Sequence, residues 1–143
     1  MTTLWTRMVI PVLLSTLVTA AGTGPAAGAG YVHQRANACT KLSGGGCAVG
    51  IAVKYWHKKG SQTRGVGWVY ASKTTKKKPR ARWLHQRPGA GLRAATGWKT
   101  PRRVGGFVET SWGKDGRTGP QHTKGTRVCV QFEGGDPLCV RLK

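Results

Sequence analysis

Residues 47–58 read CAVGIAVKYWHK, and their alternation decides the fold class. Val49, Ile51, Val53 and Tyr55 fall on one face of an extended chain, while Ala48, Gly50, Ala52, Lys54, Trp56 and Lys58 fall on the other. Period two over β-branched residues predicts a strand with one buried face. Outward from it, KKGSQTRG (58–65) is turn-rich, and VGWVYAS (66–72) resumes the alternation with Val66, Trp68 and Tyr70 on one face. The two runs predict a hairpin. On the N-terminal side, residues 30–46 are rich in Gly, Ala and Ser and predict a loop ending at Gly44-Gly45-Gly46. On the C-terminal side, Pro79 breaks pairing inside 73–80, which predicts an exposed link to a strand near RARWLHQ (80–86). PGAG (88–91) and PRR (101–103) break the chain again, and TRVCVQFE (126–133) with PLCVRLK (137–143) predict the closing strands. No stretch sustains a helical period. The expected fold class is all-β: a small antiparallel β-sandwich or barrel with basic flexible loops. Trp56, Trp68, Trp83, Trp98 and Trp112 recur at intervals of 12, 15, 15 and 14, as if each strand of a meander carried one core anchor.

The opening MTTLWTRMVIPVLLSTLVTAAGTGPAAGAG places Arg7 before an apolar run, Met8 to Val18, and small residues ending Ala27-Gly28-Ala29. This predicts a secretory signal over 1–29 with an Ala-x-Ala site, leaving 30–143 as one secreted domain. A cut near Ala20 or Ala21 is the alternative. The apolar run is shorter than the ~20 residues that cross a bilayer. In an extracellular chain, four cysteines point to disulfides, and neither Cys39/Cys47 nor Cys129/Cys139 has metal-ligand spacing. Three pairings are possible; Cys39–Cys47 with Cys129–Cys139 is favoured. In the second pair, a turn centred on Gly134 sets Val130 opposite Leu138 and Val128 opposite Val140, so that the cysteines face each other. By loop entropy each short closure contributes about 2.5–3 kcal/mol.

Charge is the most informative property. The chain has 24 Lys and Arg against 4 Asp and Glu, a net charge of +20. Few aliphatic residues beside such charge warn of disorder, against which the tryptophans, tyrosines and disulfides supply core material and constraint. From Lys54 to Arg103 there are fifteen basic residues and no acid; Glu109, Asp115, Glu133 and Asp136 all come later. Mixed charge would serve solubility better, because like charges within about 8–10 Å repel. The segregation predicts a surface for a polyanion: wall teichoic acid, nucleic acid, an anionic lipid surface or an acidic protein. Its candidate residues are Lys54, Trp56, Lys58, Lys59, Arg64, Lys76, Lys77, Lys78, Arg80, Arg82, Arg87, Arg102 and Arg103. Trp56 joins them because its strand puts it beside Lys54 and Lys58, where an indole can stack on a base or sugar. A basic composition that only keeps the protein soluble is the competing reading.

Catalysis finds little support. There is no G-x-S-x-G elbow, no H-E-x-x-H and no phosphate-cradling Gly-Lys-Ser/Thr loop. A small secreted ribonuclease or toxin would need an acid–base pair, for which His57, His85 or His122 with Glu109 are the available groups. A secreted enzyme inhibitor or protein-binding module is a further alternative, with KKKPRAR (76–82) as an exposed loop. The expectation is a monomer without cofactor or metal.

The segments ANACTKL, GGGCAVGIAVKYWHKKGSQTRGVGW and RVCVQFEGGDPLCVRL resemble small secreted two-disulfide β-sandwich proteins of actinomycetes. That resemblance implies a fold and no activity. GCAVGIAVKYW also has a distant similarity to tendamistat-type amylase inhibitors, whose Trp-Arg-Tyr turn has no counterpart here.

Overall fold

A computed structural model describes residues 30–113 and 119–143. The expected signal segment, 1–29, lies outside the described residues, as does Asp115. Among the described residues there is no helix. Ten strands run in order: β1 (Tyr31–Lys41), β2 (Cys47–Lys58), β3 (Thr63–Thr74), β4 (Ala81–Gln86), β5 (Arg93–Ala94), β6 (Arg102–Val104), β7 (Phe107–Gly113), β8 (Gln121–Thr123), β9 (Arg127–Phe132) and β10 (Leu138–Arg141). They form two antiparallel sheets, β1-β2-β3-β7-β6 with β8 also on β3, and β10-β9-β4-β5. Neither sheet closes on itself.

The alternation in β2 explains the core. Ile51, Val53 and Tyr55 face inward, joined by Val69 and Ala71 of β3 and Val108 of β7. Trp83, Val128, Val130, Phe132 and Val140 meet them from the second sheet. Full burial of each such side chain stabilises by roughly 1.5–3 kcal/mol. Both disulfides form as favoured, Cys39–Cys47 and Cys129–Cys139. Around the second, Val130 pairs with Leu138, Cys129 with Cys139 and Val128 with Val140.

Three local expectations are corrected. Residues 31–41 are no loop but an eleven-residue strand paired along β2. Its inward positions include Gln34, Ala36 and Ala38, too small or too polar to announce a strand by hydrophobicity. The turn shrinks to 42–46, where the Leu42 amide donates to the Gly46 carbonyl at 3.1 Å. Second, Val66 does not share a face with Trp68 and Tyr70. Lys54 pairs with Trp68 but Tyr55 pairs with Val66, so Gly67 is an extra residue, a β-bulge. One inserted residue flips the alternation: Val66 turns to the core while Trp68 and Tyr70 turn outward. Third, the basic link after β3 is tethered rather than free. The Arg103 guanidinium donates to the carbonyls of Thr75, Lys76 and Lys77 at 3.0, 2.7 and 2.8 Å.

Candidate binding surface

Residues opposite each other in an antiparallel pair project to the same side, so register alone maps the face of the first sheet that turns away from the core. One cross-strand row runs Arg35, Lys54, Trp68, Gly113; the next runs Asn37, Ala52, Tyr70, Ser111. A third runs Cys39, Gly50, Ser72, Glu109, Arg102. At the other end, His33 lies opposite Trp56, and Tyr31 opposite Lys58. Aromatic rings and cations therefore interleave. Trp68 and Tyr70 stack with centroids 5.5 Å apart, and the Lys54 ammonium lies 5.3 Å from the Trp68 ring centre. Tyr31 meets Trp56 edge-on at 5.2 Å, with Lys58 5.7 Å from the Tyr31 ring. The Trp56 indole fits over Gly65, where an added Cβ would lie 2.3 Å from its Cε2. That packing, not only a ligand, accounts for the tryptophan beside two lysines.

The remaining candidates divide. Lys59 is exposed in the turn after β2. Lys76, Lys77 and Lys78 project from the tethered link and are exposed. Arg103, which holds that link, is half-buried and committed to its carbonyls. Arg80 is bound to Glu133, and Arg102 to Glu109. Arg82 lies on the second sheet, donating to Gln131 at 2.8 Å and stacked 4.4 Å from the Trp98 ring centre. Arg87 is exposed beyond β4, beside Pro88, Arg127 and Arg141. Arg64 is corrected outright. It is only 4% exposed, and its guanidinium donates to the carbonyls of Lys143, Ser61 and Thr63. It ties the chain's end to β3 and presents nothing to a partner. The cations do not converge into a single wall. They make one interleaved face on the first sheet, a lysine-bearing link and a separate second-sheet group. Sequence reasoning missed Tyr31, Arg35, Trp68 and Tyr70 on that face, because β1 and the bulge were both unread.

Glu109 and Glu133 are neutralised locally. Hydrogen bonds from Arg102, then Tyr70, hold the Glu109 carboxyl below its usual range, and Arg80 does the same for Glu133. Burial, then the bond to Glu109, pushes the Tyr70 hydroxyl up. The histidines named for catalysis sit elsewhere. His85 and His122 face each other with centroids 5.0 Å apart, both beside Trp83. Burial, then the neighbouring His85 and Arg87, pushes His122 down to about 4. His57 Nδ1 lies 2.8 Å from the Lys58 carbonyl. No group of three or more metal-ligating side chains occurs among the described residues.

Both flanks of the two-sheet body carry clefts. One, of about 620 Å3, lies between β1 and β10 over Tyr55. On the other flank β6 pairs only with Phe107–Glu109 of β7, and among the described residues no strand partners that edge at 110–113. Lys99 covers that edge, donating to the Ser111 carbonyl at 2.8 Å. No protein-family model, curated protein or solved structure matches this chain.

Proposed function

We propose that this is a secreted, non-enzymatic protein that binds an anionic polymer on the outward face of its first sheet. The observation that carries the reading is the interleaving of Arg35, Lys54 and Lys58 with Tyr31, Trp68 and Tyr70. Cations attract a chain of like negative charges, and ring faces add contact that does not depend on sequence. Glu109 and Glu133 are tied to Arg102 and Arg80, so each offsets a cation outside the group of Arg35, Lys54 and Lys58. The exposed Lys76–Lys78 link extends the attraction beyond the sheet. Secretion is part of the proposal; two intramolecular disulfides are compatible with an extracellular site of action.

The test is a binding panel of wall teichoic acid, single- and double-stranded nucleic acid, an acidic polysaccharide and anionic vesicles, each at several salt concentrations. At least one ligand should lose affinity steeply with salt. For six phosphates on a duplex the loss is about a thousandfold between 50 and 200 mM. Changing Arg35 and Lys54 together to Gln should weaken the interaction at low salt. Absence of binding across the panel, or binding indifferent to both salt and these changes, would leave solubility as the only use of the charge.

A further inference from the structure

We propose that the cleft beside β7 takes one acidic sugar unit of the polymer, a pyranose bearing a carboxylate or a phosphate. This rests on the polyanion reading and names its ligand class. The starting point is the tryptophan spacing. Trp68, Trp83 and Trp112 come from β3, β4 and β7, yet all three line one cleft of about 470 Å3. That volume lies in the range of small-molecule sites, roughly 300–1,000 Å3. Trp83 is buried, whereas Trp112, opposite Val69 on the core side of β7, is only half-covered; the partial exposure of Trp68 belongs to its place on the outward face. A tryptophan serving only the core would be covered more completely.

The way the chain folds locally sets one wall of this space. Gly113, at φ +91°, lies so close to β3 that a Cβ there would sit 2.1 Å from the Gly67 carbonyl oxygen. Any other residue would push β7 off the bulge. The polar groups suit a sugar. The Lys99 ammonium is 6.0 Å from the Trp112 ring centre and spends one bond on the Ser111 carbonyl. An ammonium has three donors, so two can meet a carboxylate or phosphate. The Thr96 hydroxyl oxygen already accepts from the Trp83 amide at 3.2 Å, which leaves its proton for a ligand oxygen.

A second cleft, of about 330 Å3, shares Lys99 and Ser111 and continues to Tyr70, Arg102 and Glu109. It gives the neighbouring sugar unit a place on the path toward the cationic face. The C–H face of a pyranose packs on an indole while its hydroxyls stay at the rim, so the ring brings no polar edge that the cleft would leave unpaired.

The test uses the full chain, with tryptophan fluorescence and calorimetry reading binding of a galacturonic acid tetramer, glucose 6-phosphate, neutral cellotetraose and an oligothymidine. The acidic sugars should bind saturably, and cellotetraose about tenfold or more weakly. Lys99→Gln should cost the acidic sugars about tenfold, the worth of a charge-assisted hydrogen bond, and leave cellotetraose unchanged. Trp112→Phe, which keeps an aromatic ring, should weaken every sugar. Thermal melting of both variants checks that they fold. Equal binding of neutral and acidic tetramers, preference for oligothymidine, or indifference to Lys99→Gln overturns the proposal. If Lys99→Gln has no effect while Arg35→Gln/Lys54→Gln still weakens polymer binding, the cleft assignment fails and the polyanion reading survives. Sugar binding confined to the cleft, without salt-dependent polymer binding, has the opposite meaning.

Discussion

His122 shows how much a single buried group can govern. Its imidazole is only 6% exposed, and neither ring nitrogen has a hydrogen-bond partner. The groups around it, His85, Arg87 and Trp83, supply no negative charge. In the folded protein it is held near 4, below the value of about 6.5 expected once unfolded. The unfolded chain therefore binds the extra proton more readily between those values. Stability is complete above about pH 6.5 and declines as the pH falls toward 4, by about 3 kcal/mol at most from this group. His85, also pushed down by burial and then by Arg87 and Arg93, acts with the same sign. Urea denaturation from pH 7.5 to 4 should show this loss, and His122→Phe should flatten it. Arg64 gives a second residue-scale expectation. Replacing it with Met leaves carbonyls of Ser61, Thr63 and Lys143 without their donor and should cost about 3 kcal/mol in the same measurement. A sequence announces the charge of Arg64 but not its destination. The fold supplies that destination by bringing the chain's last residue beside β3.

At the scale of elements, legibility followed side-chain contrast. The β2 strand and the β9–β10 hairpin were readable because apolar and polar residues alternate cleanly, and because Gly134 marks the turn. The β1 strand was not, because it borrows its pairing from β2 and buries mostly small or polar groups. The bulge at Gly67 was invisible for another reason: one unpaired residue leaves VGWVYAS looking like an unbroken alternation. Only the partner strand shows which half of that run has changed sides, and with it went half of the candidate face. The Arg103 tether carries the prediction proper to this scale. Lys76–Lys78 should resist trypsin, since cleavage needs a local opening that breaks three hydrogen bonds to one guanidinium. Arg103→Gln should speed cutting within that run about tenfold or more while the rest of the chain stays protected. Changing Lys76, Lys77 and Lys78 to Gln should leave melting nearly unaltered, because the tether uses their backbone rather than their ammonium groups.

For the whole molecule, a net charge of +20 on 143 residues sets the terms. Repulsion opposes compaction, and the ion pairs seen, Arg80–Glu133 and Arg102–Glu109, relieve it only locally. Added salt screens that repulsion, so melting temperature should rise from 50 to 500 mM sodium chloride in the free protein. An anionic polymer should raise it at low salt and lose that effect as salt increases. Opposite responses of the free and bound protein would be hard to obtain if the charge served solubility alone.

The β1 strand ends its sheet, and among the described residues no strand is hydrogen-bonded along its outer rim. Such a rim invites a second copy to zip alongside, and a cationic side chain such as Arg35 keeps molecules from doing so. A polymer that cancels that charge also removes the guard. Mixtures near electrical balance should turn cloudy and clear again when either component is in excess, so the composition window of turbidity would report how far the bound chain disarms this rim.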